Sequence, residues 1–362
     1  MLYSSGTLRE YHEAGFQRED WRTTALQPPK AATLSQVAQL AGVSIATASR
    51  ALNGRDDVRV DTRDRVLAAA EKLSFRPNAL AKGLLEGRSG TVGLLTTDLE
   101  GRFSIPIMMG AEDAFGAGQT SVFLCDARRD AIREQHHLQA LLSRRVDGLI
   151  VVGSDTNARP SMGRDLPVPV VYAYAPSEDP QDMCVVSDNV QGSRLATEHM
   201  LSLGRSRVAH VTGEYEFAAA QDRATGVAGA LADAGLELAG GRVMFGSWSE
   251  SWGRGAVRTL LEQAPDVDAI VAGNDQIARG GIDALREAGR RVPQDVAVVG
   301  FDNWSVVAHG SRPEITSVDM QLEELGRLAA RRLFAAIEGE RHPGSESVGC
   351  RLVIRGSTTL LA

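Results

Sequence analysis

Between Thr33 and Leu52 the apolar positions fall first at Leu34, Val37, Ala38 and Ala41, the spacing of one helical face. Thr33 followed by Gln36 makes a capping box, so this first helix has a defined start. Gly42 permits a tight turn, Ser44 caps a second helix, and Val43 serves as its hydrophobic staple. The second helix is predicted from about Ile45 to Leu52, with Ala48 and Leu52 inward, and Asn53-Gly54 stops it. A third amphipathic run follows Thr62, with Val66, Leu67, Ala70 and Leu73 predicted to pack inward. Pro77 ends that element, and Asn78 can cap a short helix from about Ala79 to Leu85. A helix so short, weakened further by Gly83, orders only against a partner.

Beyond Gly90 the pattern changes to short apolar runs alternating with helical ones. TVGLLTT, TSVFLCD, VDGLIVVG and VPVVYAY read as strands in the first half, and SRVAHVTG, GRVMFG, VDAIVAG and DVAVVGF in the second. Helical runs separate them, among them Ile107 to Ala117 and RDAIREQHHLQALLSRR. Strands buried on both faces predict parallel sheets of an α/β fold. They are too many for one simple sheet, and the two runs divide near Val186. Two similar halves with a ligand cleft at the C-terminal ends of their strands is the economical arrangement.

Charge sharpens this division. The chain of 362 residues carries a net charge of -7, yet residues 33–88 hold nine Lys/Arg against six Asp/Glu, and the remainder from residue 89 carries -10. A basic head on an acidic body confines attraction for nucleic acid to one end. No run approaches a transmembrane length, and the N-terminus does not read as a signal peptide. The three cysteines, Cys125, Cys184 and Cys350, have no metal or redox spacing, and Cys125 and Cys184 read as buried small hydrophobes. The expected location is cytoplasmic, with no membrane partner and no cofactor. Residues 1–32 read as a disordered arm, as a short ordered extension, or as the product of a start codon placed too early.

Two short helices joined by a glycine turn form a helix-turn-helix, whose second helix enters the major groove. Ile45 and Ala46 are candidates for thymine methyls, and Arg50 for guanine or a phosphate. Ser44, Thr47 and Ser49 are phosphate-contact candidates. Thr33, Asn53, Asn78 and Ala81 complete the DNA-facing set, with Leu84 as an apolar wedge at a minor-groove step. An enzyme is disfavoured, since no Walker loop, nucleotide fingerprint, nucleophile elbow or zinc triplet appears. His136 and His137 are adjacent, share no helix face, and are expected to face solvent. A free solute-binding protein is the rival from another class, and the head at 33–88 argues against it.

These blocks together resemble the lactose/galactose repressor (LacI/GalR) family of bacterial transcription factors. The likeness spans about residues 33–360 and rests on TLSQVAQLAGVSIATASRALNG, RPNALAKGL, RRVDGLIVVG, GSRLATEHMLSLGRSRVAHVTG, AGNDQIARGGIDALREAG, RVPQDVAVVGFDN and RLVIRGST. It implies an N-terminal all-α helix-turn-helix domain with a hinge helix, then a two-lobed α/β core like periplasmic binding proteins, with parallel sheets. The implied domains are an extension at 1–32, the DNA-binding domain at 33–76, the hinge at 77–89 and the core at 90–362. The N-lobe would comprise about 90–186 plus 317–345, and the C-lobe about 187–316 plus 346–362.

The resemblance further implies a homodimer on a partly palindromic operator, and an effector held by Phe103, Arg223, Trp248, Asp275 and Asp302; Tyr174 and Trp304 are added from this sequence as further aromatic surfaces of that site. No leucine-rich tetramerising helix follows RLVIRGSTTLL, so a dimer is expected. The sequence departs from the family at Glu100-Gly101-Arg102-Phe103, where Ser-Asn-Pro-Phe is usual, and at Tyr174, where an acidic residue is common. A guanidinium, carboxylates and aromatic platforms suit a polyhydroxylated ring, so a saccharide is favoured over a purine or other metabolite. Repression is the expected mode, with activation as the alternative, because the sign depends on operator position.

Overall fold

The computed structural model describes residues 32–52, 57–75, 88–98, 100–116 and 120–359. It divides into two compact units, residues 1–82 and 83–362. The predicted sites Asn53, Asn78, Ala81 and Leu84, the whole of the predicted hinge helix and nearly all of the N-terminal extension lie outside the described residues.

The head unit holds α1 (Leu34–Ala41), α2 (Ile45–Leu52) and α3 (Val60–Lys72). The capping box is formed: the Gln36 amide donates to Thr33 Oγ1 at 3.3 Å, and the Thr33 amide donates to Gln36 Oε1 at 2.8 Å. Gly42 takes φ of 67°, a left-handed value that a side chain would resist, and so turns the chain into α2. Val37, Ala38, Ala41, Ala48, Ala51, Val66, Ala69 and Ala70 form the core, with Leu34, Leu52 and Leu73 packed against it. Leu67 is corrected from the predicted inward set: it is 47% exposed, because the buried stripe runs through Val66, Ala69, Ala70 and Leu73 and leaves it one position off. Thr62 does not precede α3 but lies within its first turn.

The body holds two six-stranded sheets. In the first, β1 (Thr91–Thr96), β2 (Ser121–Asp126), β3 (Gly148–Val152), β4 (Val170–Ala173), β5 (Met183–Ser187) and β11 (Gly344–Val348) lie in the order β11-β5-β4-β3-β1-β2, all parallel. In the second, β6 (Val208–Thr212), β7 (Met244–Phe245), β8 (Ala269–Ala272), β9 (Ala297–Phe301), β10 (Thr316–Asp319) and β12 (Arg351–Val353) lie in the order β12-β10-β9-β8-β6-β7. Only β12 is antiparallel to its neighbour. The central strands β3, β4, β6, β8 and β9 are buried throughout, as the continuous apolar runs require. Strand β2 differs: it closes one edge of its sheet, and Phe123 and Leu124 are each 43% exposed. Cys125 on that strand is accordingly only half-buried, whereas Cys184 is buried.

Helices α4 (Ser104–Phe115), α5 (Ala131–Ser143) and α11 (Leu322–Ile337) belong to the first lobe, where α11 packs on α4 and across β3, β4 and β5. Helices α6 (Asn189–Ser202), α7 (Ala218–Asp233), α8 (Glu250–Gln263), α9 (Asp275–Glu287) and α10 (Ser305–Ala308) follow the second. The chain changes sheets after β5, returns between Asp319 and Leu322, and crosses again between Val348 and Arg351. Among the described residues no helix is long and apolar enough to cross a membrane.

Candidate DNA-binding face and effector cleft

On α2, Ala48 and Ala51 are buried while Ser44, Ile45, Ala46 and Arg50 are exposed, and Thr47 and Ser49 are half-buried. Ser44 Oγ accepts the Thr47 amide at 3.1 Å and lies 2.8 Å from Thr47 Oγ1, so the cap fixes both hydroxyls at the helix start. Ile45 is 54% exposed, an apolar side chain displayed at the first position of the helix. The Arg50 guanidinium pairs with Asp57 at 3.0 Å, and both side chains are about half exposed. Such an ion pair contributes at most about 1 kcal/mol and is readily exchanged for another acceptor. Thr33 is also exposed, but its hydroxyl is committed to the cap of α1.

In the body, the cleft is built from loops at the C-terminal ends of parallel strands. Phe103 follows β1, Tyr174 follows β4, Trp248 follows β7 and Asp302 follows β9; Arg223 projects from α7. These five line one inner chamber of about 160 Å³. Phe103 stacks on Tyr174 with ring centroids 4.5 Å apart. Tyr174 and Asp302 have φ of 73° and 94°, left-handed values unusual for side-chain-bearing residues and found at binding sites. Burial pushes the Tyr174 hydroxyl well above its usual range, so it stays protonated as a hydrogen-bonding group.

Arg223 is 2% exposed. Its Nε donates to Asn189 Oδ1 at 2.9 Å, one terminal nitrogen donates to the Gly273 carbonyl, and the other lies 3.5 Å from Asp302. The guanidinium stands 3.7 Å from the centre of the Phe301 ring. A charge so deeply placed is held by this complete set of partners, which also fixes its direction. Trp248 rests over Gly213, where any Cβ would collide with the indole.

Two residues expected at the ligand stand outside the inner chamber. Asp275 is fully buried; it accepts the Trp304 amide at 2.7 Å and the Ser317 hydroxyl at 2.5 Å, and lines neither main chamber. Burial, then the nearby Asp302, pushes its carboxyl up to about 8. It anchors the loop that carries Asp302 and Trp304. Trp304 itself lines an adjoining outer chamber of about 430 Å³.

Arg102, read from sequence only as a departure, occupies the boundary between these chambers and lines both. From the loop after β1 it reaches across the cleft to pair with Asp302 and lies 3.4 Å from Gln276. Its guanidinium sits 4.6 Å from the Trp304 ring and 5.2 Å from the Phe103 ring. Sequence reasoning also missed Asp155, Phe217 and Asn274, which line the inner chamber. Asn274 had a signal: it caps α9 beside Asp275, accepting the Ile277 amide at 2.8 Å, and the capping position faces the strand ends.

Residues 33–78 match the family model described as bacterial regulatory proteins, lacI family, and residues 197–358 match a periplasmic binding protein-like domain. The HTH-type transcriptional regulator CelR of Thermobifida fusca is 35% identical over 315 residues, covering 85% of this chain and 92% of the relative. The chain belongs to the lacI family. The ribose operon repressor of Escherichia coli is 33% identical over 82% of this chain and 91% of its own length, and the HTH-type transcriptional repressor PurR of Aliivibrio salmonicida is 30% identical over 86% and 94%. Among solved structures, a CelR–cellobiose complex is 33% identical with a TM-score of 0.62, over 90% of this chain and 99% of that one. The lac repressor dimer bound to operator and the anti-inducer ONPF is 26% identical with a TM-score of 0.72, over 91% and 100%. This lacI-family chain is therefore a DNA-binding transcriptional regulator rather than an enzyme, with a helix-turn-helix region and a two-lobed α/β core.

Proposed function

We propose that the protein is a cytoplasmic repressor whose affinity for a partly palindromic operator is set by a saccharide bound between the two lobes. The observation that carries this reading is the inner chamber, where Arg223 and Asp302 are flanked by the rings of Phe103, Tyr174 and Trp248. Directional donors and acceptors fit ring hydroxyls, and aromatic faces fit the apolar C–H side of a sugar. Asp275 acts from beneath, through the Asp302 loop. The sequence-assigned base readers are Ile45, Ala46 and Arg50, with Ser44, Thr47 and Ser49 on phosphates. The effector binds one closure state of the lobes more tightly than the other, and this difference alters operator affinity.

The working unit in this reading is a homodimer. Ile105 and Met109 of α4, and Phe123 and Leu124 of the edge strand β2 against which α4 packs, are large apolar side chains each more than 40% exposed. A second copy is the covering that fits a repressor on a symmetric site. Calorimetry with a saccharide panel against the full-length protein tests the effector class. Binding of one sugar that is lost in Asp302→Asn supports it; binding of a purine with silence from every sugar overturns it.

A further inference from the structure

The inner chamber has a charge surplus that a neutral sugar leaves unanswered. Arg102 and Arg223 line it with Asp155 and Asp302, and Arg129, which also lines it, is exposed to solvent. In its depth a single carboxylate, Asp302, serves two guanidinia that approach from opposite lobes, Arg102 and Arg223. The Asp302 and Arg102 side chains are only 6% and 14% exposed, so solvent does little to balance the excess. Arg102 also has unused capacity: its Nε is buried and has no hydrogen-bond partner among the described residues. Finally, Arg102 lines both the inner chamber and the outer one, together with Phe103 and Asp302. The inner chamber alone, at about 160 Å³, falls short of the roughly 300 Å³ at which small-molecule pockets begin. A ligand of ordinary size needs more room, and moving the Arg102 side chain off Asp302 would join the two chambers.

We propose that Arg102 determines effector specificity: a bound effector takes its place on Asp302 with hydroxyls while offering Arg102 an anionic group. The effector is then an acidic saccharide, a uronate or an aldonate, rather than a neutral one. The guanidinium that leaves Asp302 would otherwise lose the one ion-pair partner it has among the described residues, and an enclosed site penalises that loss. A carboxylate meets it with two parallel N–H donors. This inference rests on the saccharide reading above and narrows it.

The test is calorimetry of the full-length protein with matched pairs: glucose with glucuronate and gluconate, galactose with galacturonate, and cellobiose with cellobionate. The wild type should bind one acid at least about ten-fold more tightly than its neutral counterpart. Arg102→Gln should abolish that ratio by weakening the acid while leaving the neutral sugar equal or tighter. Arg102→Lys, which keeps the charge but not the fork, should retain part of it. A residue that merely held the lobes together would change both members of a pair alike. If a neutral sugar binds as tightly as its acid, and Arg102→Gln leaves the ratio unchanged, the proposal falls while the saccharide reading stands. If every sugar and every acid is silent and a purine binds, both fall together.

Discussion

Arg223 and Asp275 show how a residue near a ligand can be structural at the same time. Arg223 satisfies Asn189, the Gly273 carbonyl and Asp302 at once, so Arg223→Ala should weaken the fold as well as the site. Removing one partner of a buried ion pair costs about 3–5 kcal/mol; the lower end is expected, because Asp302 keeps Arg102. Denaturant titration of the variant checks this. Asp275 makes a pH-dependent contribution. Its carboxyl is raised from 3.8 to about 8, so between those values the folded protein retains a proton that the unfolded chain has released. Stability from this group therefore falls as pH rises through that window and levels off above it. Asp275→Asn keeps an acceptor for the Trp304 amide and can donate to the Ser317 hydroxyl, so its Tm should fall less between about pH 5 and pH 8 than that of the wild type.

At the scale of elements, the second helix of the head presents an exposed face on a buried alanine stripe. Arg50→Ala should lower discrimination between operator and mismatched DNA by about 1–3 kcal/mol, measured at fixed salt, with the body still folded. Asp57→Ala should not, since it removes only a surface partner of Arg50. Much of this organisation was legible in the sequence. The capping box at Thr33, the turn at Gly42 and the continuous apolar runs of β3, β6 and β9 each have one local solution, and each formed. What the sequence did not disclose depended on tertiary neighbours. Leu67 sits one position off the stripe of α3, which periodicity alone assigned to the core. Strand β2 has the same apolar composition as the central strands, but an edge place in a sheet is a property of topology. Strand β10 and the short β12 are a few residues each and carry little pattern, yet they show where the chain changes lobes. Arg102 was visible as an oddity, but its partner is 200 positions away, and no spacing rule links the two.

For the whole molecule, assembly and switching rest on the body. Substituting Met109 or Phe123 by Glu should yield monomers at micromolar concentration in sedimentation velocity, where the wild type should sediment as a dimer. A charge placed on an apolar interface is costly to bury, whereas on a free surface it is nearly neutral. The Arg102–Asp302 pair is one of the contacts that bridge the two lobes, and another is the Ala218 amide donating to Asn157 Oδ1 at 2.7 Å. An effector that exchanges the first contact for its own changes the balance between closure states by the difference in its affinity for them. Control of the head by the cleft would be read out by operator binding. A pool of genomic fragments, selected on the full-length protein at fixed salt, supplies the operator, and fluorescence anisotropy then follows its occupancy as saccharides are added. The account predicts a partly palindromic site bound at least about a thousand-fold more tightly than bulk DNA, whose affinity changes with one saccharide in the wild type and does not change in Asp302→Asn. A site whose occupancy stays constant while calorimetry shows the same saccharide filling the cleft would contradict it.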